Sequence, residues 1–215
     1  MATDSQKTSS DKFNFVFDMG GVLMKFDTRL FSNLYVDSPD DTRLIEAALY
    51  KSPSWPLLDA GVISEHTMEA LARTKVPERL WKPMHKGFLE WEQHQPVLQH
   101  MNDVVVALHD AGCGCYLLSN AGVRWWRQKD RIPSMKVMDG FVVSAFEHMM
   151  KPDPLIYTTL CKRYQLDPVS CIFVDDNADN CAGAEAAGMK SYHYDGDADT
   201  FVSWAESTYN VNLKI

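Results

Sequence analysis

The chain has 215 residues, with 21 Lys and Arg against 29 Asp and Glu and a formal net charge of −8 at pH 7. That length fits one domain with a modest subdomain, and 46% hydrophobic against 23% charged residues supplies a packed core and excludes a mainly disordered chain. The acidic balance gives no net attraction for nucleic acid or anionic lipid, so neither is an expected partner.

Residues 1–12 are mostly polar and lack an apolar h-region, so they read as a flexible tail, neither a secretory signal nor a membrane anchor. No uncharged apolar run approaches the ~18 residues that span a bilayer. Next comes Phe13-Asn14-Phe15-Val16-Phe17, an aromatic and β-branched run that stops at Asp18 before Gly20-Gly21. It predicts a buried strand ending in a tight loop.

From Arg29 to Pro96 the patterns are only helical, as in Leu44-Ile45-Ala48-Leu49 and Met68-Leu71-Ala72, with turn signals at Ser52-Pro53 and Ala60-Gly61. This segment, residues 29–96, reads as a helical insertion after the first strand, in which Trp55, Trp81 and Trp91 form a small core. Beyond it, Val97, Met101, Val104, Val105 and Leu108 mark an amphipathic helix, with Gly112 just past its end.

Strands are expected at Cys115 to Leu118, Phe141 to Ser144, Cys171 to Val174 and Ser191 to Tyr194. Their near-continuous apolar character suits burial on both faces. Helical stripes through Ile156, Leu160 and Tyr164, and from Asn177 through Cys181, Ala184 and Ala187 to Gly188, separate them; Phe201 and Trp204 suggest a short packing helix. Such alternation predicts an α/β fold with a doubly wound parallel sheet and right-handed crossovers. The five cysteines, Cys113, Cys115, Cys161, Cys171 and Cys181, show no paired zinc spacing and read as packed, reduced thiols of a cytoplasmic protein. Cys113 and Cys115 are two apart in a strand and share a face, which packing accounts for.

In a doubly wound sheet, ligands bind outside the carboxyl ends of the strands. The residues there are Asp18, Ser119-Asn120 and Asp175-Asp176-Asn177, with Lys151, followed by Pro152 at the opening of the next helix, as an added cation. The set matches the needs of phosphoryl transfer: a carboxylate to attack phosphorus, a divalent cation to offset repulsion, and donors for the nonbridging oxygens. In this reading Asp18 attacks and, with Asp175, Asp176 and the Gly20 carbonyl, holds Mg²⁺, a hard ion suited to oxygen ligands. The bare backbone of Gly20-Gly21 lets Gly21 approach a phosphate, Ser119 and the Asn120 amide donate to it, and Lys151 neutralises charge at the nucleophile.

Phe17-Asp18-Met19-Gly20-Gly21-Val22-Leu23, Leu118-Ser119-Asn120, Lys151-Pro152-Asp153-Pro154-Leu155-Ile156-Tyr157 and Phe173-Val174-Asp175-Asp176-Asn177-Ala178-Asp179-Asn180 resemble, in order, the four motifs of the haloacid dehalogenase (HAD) superfamily. The Asp-x-Gly-Gly start and the Asp-Asp-Asn-Ala-Asp-Asn run are most similar to the branch that includes bacterial glucose-1-phosphate phosphatase. The resemblance implies a Rossmann-like core over residues 13–28 and 97–215, a helical cap over residues 29–96, Mg²⁺, and an aspartyl-phosphate on Asp18. Gly61-Val62-Ile63-Ser64-Glu65 lies where that branch has a turn opening a cap helix. The expected activity is Mg²⁺-dependent hydrolysis of a small phosphorylated metabolite, sugar phosphates foremost.

Two positions depart from the pattern. Most phosphatases of the superfamily carry a general-acid Asp two residues after the nucleophile, where this chain has Gly20; donation must then come from water, the cap or the substrate, or the rate falls by on the order of 10²–10⁴. His148 stands where relatives often have Gly. The run Arg124-Trp125-Trp126-Arg127-Gln128-Lys129-Asp130-Arg131 interleaves cations and aromatics and reads as a helix with packed rings and solvated charges. Two other activities fit the motifs: a metal-independent 2-haloacid dehalogenase, whose halide leaves unprotonated, and a non-catalytic protein that binds phosphorylated metabolites.

Overall fold

A computed structural model describes residues 13–215; the expected tail, residues 1–12, lies outside the described residues. Five strands, β1 (Asn14–Phe17), β2 (Gly114–Ser119), β3 (Gly140–Val143), β4 (Cys171–Asp175) and β5 (Lys190–His193), form one parallel sheet in the order β3-β2-β1-β4-β5. The expected doubly wound α/β architecture is present.

Strand alternation sends successive side chains to opposite faces. Phe15, Phe17, Cys115, Leu117, Ile172 and Val174 pack on one side in a cluster with Val104, Leu108 and Phe201, from helices Gln99–Asp110 and Ala198–Tyr209. Val16, Tyr116, Leu118 and Phe173 pack on the other with Ile156, Leu160 and Ala184, from helices Pro154–Tyr164 and Ala178–Ala186. Phe17 is paired with Leu117 on one side and Val174 on the other. The chain passes outward from β1 through β2 to β3, then returns to β4 beside β1, so the strand order reverses there and a crevice opens at the carboxyl ends.

Some boundaries differ from the sequence reading. Ser119 and Asp175 are the last residues of β2 and β4, and Ser144 opens a short helix, Ser144–Glu147, instead of ending β3. The helix after Lys151 opens at Pro154, where the Asp153 side chain accepts from Leu155 N at 2.9 Å, so Pro152 precedes the cap residue. The C-terminal helix runs 12 residues, and its Phe201 is fully buried against the rings of Phe15 and Phe17.

Between β1 and Gln95 the chain is helical, at Thr28–Ser32, Pro39–Ala48, Trp55–Asp59, Glu65–Arg73 and Trp81–Glu90. Ser38 and Ser64 cap two of these by accepting from Asp41 N and Thr67 N. Phe31, Leu49, Met68, Met84 and Phe88 form a separate apolar cluster with Trp55 and Trp91, while Trp81 packs at its edge and donates from its indole to Arg73 O. All five cysteines are buried. Among the described residues no helix is long and apolar enough to cross a membrane.

Candidate active site

Asp18 follows β1 directly, and its amide donates to Val174 O at 2.9 Å, extending the β1–β4 pairing by one residue and fixing where the carboxylate emerges. The turn beyond it closes through Gly21 N to Met24 O at 2.8 Å and Met24 N to Met19 O at 2.8 Å. The Gly21 amide is thus committed to the turn. Its glycine has a local cause: φ is 77°, and a Cβ here would lie 2.1 Å from Asp176 Oδ2. Gly20 is different, since a Cβ would meet nothing nearer than Phe26 Cβ at 3.9 Å and Asp18 Oδ2 at 4.0 Å.

Lys151 is buried, with its Nζ 2.7 Å from Asp18 Oδ1 and 2.6 Å from Asp175 Oδ2. Its backbone is gripped by one side chain: Asn120 Oδ1 accepts from Lys151 N at 2.9 Å and Asn120 Nδ2 donates to Lys151 O at 3.0 Å. Sequence reasoning assigned that amide to phosphate; the structure turns it toward Lys151. Ser119 is buried at the end of β2, next to Asn120.

The Asp175 carboxylate also accepts from Asn177 N at 2.8 Å and, at both oxygens, from Asn180 Nδ2 at 3.1 Å. Asn177 caps helix Ala178–Ala186, accepting from Asp179 N at 2.8 Å, so the loop after β4 is held from both sides. Asp176, next along the loop, is exposed. Burial raises the Asp18 carboxyl above its ordinary range, with Lys151 opposing and the nearby Asp175 reinforcing. For Lys151, burial works toward the neutral form, but Asp18 and Asp175 outweigh it and raise its pKa. The Asp176 carboxyl is also raised, by partial burial and then by Asp175.

Oxygens of Asp18, Asp175 and Asp176 lie within 4.8 Å of one another. Three carboxylates facing one ammonium leave uncompensated negative charge, and the donors are all hard oxygens. These residues fit a divalent cation of the Mg²⁺ type, which would relieve the crowding.

A cavity of about 540 Å³ opens above, lined at its floor by Asp18, Gly20, Gly21, Asn120 and Asp176. Lys151 and Asp175 lie buried beside that floor. Phe26, Trp55, Leu58, Phe88 and Trp91 wall it on the helical side, together with Asp59, Glu65 and Gln95. Trp55 and Trp91 therefore serve both as core and as cavity wall.

Arg124 departs from the solvated charges expected of its segment. It is 6% exposed, donates to Glu65 Oε1, to Phe88 O and, at 3.1 Å, to Glu92 Oε2, and stacks over Phe88. Trp125 is packed as expected, but helix Trp125–Gln128 lasts only four residues and Trp126 is largely exposed, set edge-on to Phe141 and tilted against Phe146. His148 sits at φ 53°, a left-handed position that explains why glycine suits it, and its Nδ1 is 3.3 Å from Ala60 O. Sequence reading missed Asp59 as a cavity residue. The available signal was an acid at the end of the apolar run Trp55-Pro56-Leu57-Leu58, just before the Ala60-Gly61 turn.

Comparison with known proteins places this geometry. The chain is 25% identical over 182 residues to a sesquiterpene phosphatase of Aspergillus oryzae, covering 83% of this chain and 87% of that one. A 50-residue stretch, 23% of each chain, is 40% identical to a phosphatase of Mycobacterium tuberculosis. Its fold matches a HAD family enzyme of Bacteroides thetaiotaomicron solved with magnesium and inorganic phosphate, at TM-score 0.62 and 19% identity over 84% of this chain and 93% of that one. It also matches a dehalogenase at TM-score 0.63 and 19% identity, over 88% and 85%. Residues 14–188, from the first residue of β1 to the glycine that ends the helix after Asp175, match the haloacid dehalogenase-like hydrolase family, to which this chain belongs.

Proposed function

We propose that the chain is a Mg²⁺-dependent phosphomonoesterase acting through an aspartyl-phosphate on Asp18. The observation that carries this reading is Lys151 Nζ set between Asp18 and Asp175, with Asp176 completing a carboxylate cluster at the floor of a cavity. Asp18, Asp175 and Asp176, with the Gly20 carbonyl, would hold the ion, which when bound offsets the charge of the phosphoryl oxygens. Asp18 attacks phosphorus in line with the departing ester oxygen; Lys151 keeps the nucleophile oriented and compensates charge. Ser119, Asn120 and Gly21 belong to the phosphate end in this reading, Asn120 by holding Lys151. The likeness to two phosphatases supports phosphate-ester chemistry.

Residues 29–96 act in this reading as a cap that selects the substrate. The walls favour a small phosphorylated metabolite of the sugar phosphate kind. The rings of Trp55 and Trp91 line the cavity together with the polar side chains of Glu65 and Gln95. A hydroxylated ring offers both an apolar face and acceptors. The net charge of −8 supports a cytoplasmic protein without nucleic-acid or membrane partners.

A dehalogenase would use Asp18 and Lys151 but would leave Asp176 and the surplus of carboxylates without a task. Phosphate release from sugar phosphates and p-nitrophenyl phosphate, with and without Mg²⁺, tests the assignment. Release that requires Mg²⁺ and is abolished in a folded Asp18→Asn variant is expected; halide release from 2-chloropropionate in EDTA would replace this reading with the dehalogenase.

A further inference from the structure

Four acidic side chains line the cavity: Asp18, Asp59, Glu65 and Asp176. Asp18 and Asp176 belong to the carboxylate cluster, and Glu65 is paired with Arg124. Asp59 forms no ion pair among the described residues; its carboxyl accepts from the Trp55 side chain and from the Gly122 amide, on the loop after β2. Its backbone is anchored as well. Ser144 Oγ donates to Asp59 O at 2.5 Å, His148 Nδ1 approaches Ala60 O at 3.3 Å, and Gly61, at φ 67°, passes so close to Ala145 that a Cβ would lie 2.5 Å from Ala145 O. Residues 59–61 are therefore each held against the segment that follows β3.

We propose that Asp59 is the general acid of the reaction, supplied from the helical layer in place of the carboxyl that Gly20 lacks. The inference rests on the phosphomonoesterase reading. Burial pushes the Asp59 carboxyl up to about 8, with the charge of Asp18 adding to it and the two hydrogen bonds opposing, so it holds its proton at neutral pH. As the Asp18 oxygen bonds to phosphorus, the phosphorus–oxygen ester bond breaks, its electron pair stays on the departing oxygen, and the Asp59 proton goes to that oxygen. An alcohol leaves and Asp59 becomes a carboxylate. In the second step the carboxylate takes a proton from water as the water oxygen attacks phosphorus, which frees phosphate, restores the Asp18 carboxylate and returns Asp59 to its acid form. The charged and titratable groups around this position are Asp18, Lys25, Glu65, Arg124 and Asp176 on the cavity wall and His148 beside Ala60.

The test compares wild type, Asp59→Asn and Asp59→Glu in Mg²⁺ on the sugar phosphate turned over best and on p-nitrophenyl phosphate, whose phenolate leaves readily without a proton. Asp59→Asn keeps an oxygen for Trp55 and Gly122, and circular dichroism checks its fold. The expected loss is ~10²–10⁴-fold on the sugar phosphate, at least about tenfold greater than the loss on the aryl ester. Partial recovery in Asp59→Glu and disappearance of an alkaline limb near pH 8 in Asp59→Asn complete the expected pattern. Equal losses on both esters, or an alkaline limb that survives in Asp59→Asn, would overturn the role of Asp59 alone. No release from either ester by the wild type would overturn the phosphomonoesterase reading and the proposal with it.

Discussion

Asn120 and Lys151, 31 residues apart, are joined by two reciprocal hydrogen bonds between the Asn120 amide and the Lys151 backbone, at 2.9 and 3.0 Å. The ammonium that bridges Asp18 and Asp175 is thus aimed from β2 as well as from its own loop. A side chain that positions a charge is felt in turnover, because a misplacement of about 1 Å costs on the order of 10²-fold. Asn120→Ala is expected to lower kcat by about 10–10²-fold while KM changes less. Steady-state kinetics check this, and a loss confined to KM would return the amide to phosphate binding.

Gly21 and Gly20 are adjacent but predict opposite outcomes. A methyl at Gly21 would sit 2.1 Å from Asp176 Oδ2 on a backbone of φ 77°, whereas one at Gly20 meets only contacts at 3.9 and 4.0 Å. Gly21→Ala is expected to push Asp176 out of the carboxylate cluster and raise the Mg²⁺ concentration for half-maximal activity by about tenfold, the scale typical of disturbed ligand orientation. Gly20→Ala is expected to shift it much less. A Mg²⁺ titration of both variants decides the matter.

The parts of this site that are legible in the sequence are those made by short range. Asp18 and Asp175 stand at the ends of apolar runs, and a parallel sheet brings such ends together; Asn177 reads directly as a cap before Ala178. What the sequence hides depends on partners far along the chain. Arg124 is buried because Glu65 and Glu92, 59 and 32 residues away, meet it under Phe88. Asp59 is held at the cavity by Gly122, which donates to its carboxyl, and by Ser144, 85 residues later, which anchors its backbone. No local pattern encodes such pairings, so a residue that is charged by type reads as solvated until the packing is seen.

Arg124 yields a stability prediction from the same packing. Removing the guanidinium leaves the carboxylate of Glu92, 1% exposed, with Arg127 Nη1 at 3.5 Å as its one cation among the described residues, and leaves Glu65 without the cation it pairs with. Loss of one partner from a buried ion pair costs about 3–5 kcal/mol. Arg124→Met is expected near the lower end, since its side chain still fills the space over Phe88. Urea unfolding with an unchanged m-value would measure it.

The elevated Asp59 carboxyl sets the sign of a pH effect on stability. In the folded chain it holds its proton up to about 8, against about 3.9 when unfolded. The native state therefore binds more protons over that interval, and this group's contribution to stability falls as pH rises from about 4 through 8. Asp59→Asn is expected to remove that fall, so its unfolding midpoint approaches or exceeds that of the wild type at pH 8.5 relative to their difference at pH 5. Urea melts at the two pH values provide the comparison, and an unchanged difference would place the carboxyl in its ordinary range.

Gly20 gives the sharpest cross-check, because the space there is already open. Its φ lies outside the left-handed region and a Cβ makes only ordinary contacts, so Gly20→Asp can enter without moving the turn and set a second carboxyl on the same cavity. In the Asp59→Asn background this substitution is expected to recover about tenfold or more of the lost turnover on a sugar phosphate, within the 10²–10⁴ range of general acid catalysis. It is expected to recover little on p-nitrophenyl phosphate, whose leaving group has no need of a proton. Recovery of equal size on both esters would mean that the new carboxyl acts on the cation or the nucleophile instead. Asp18 Oδ2 lies only 4.0 Å from the added Cβ, so that outcome has its own signature: a changed Mg²⁺ requirement alongside the rate.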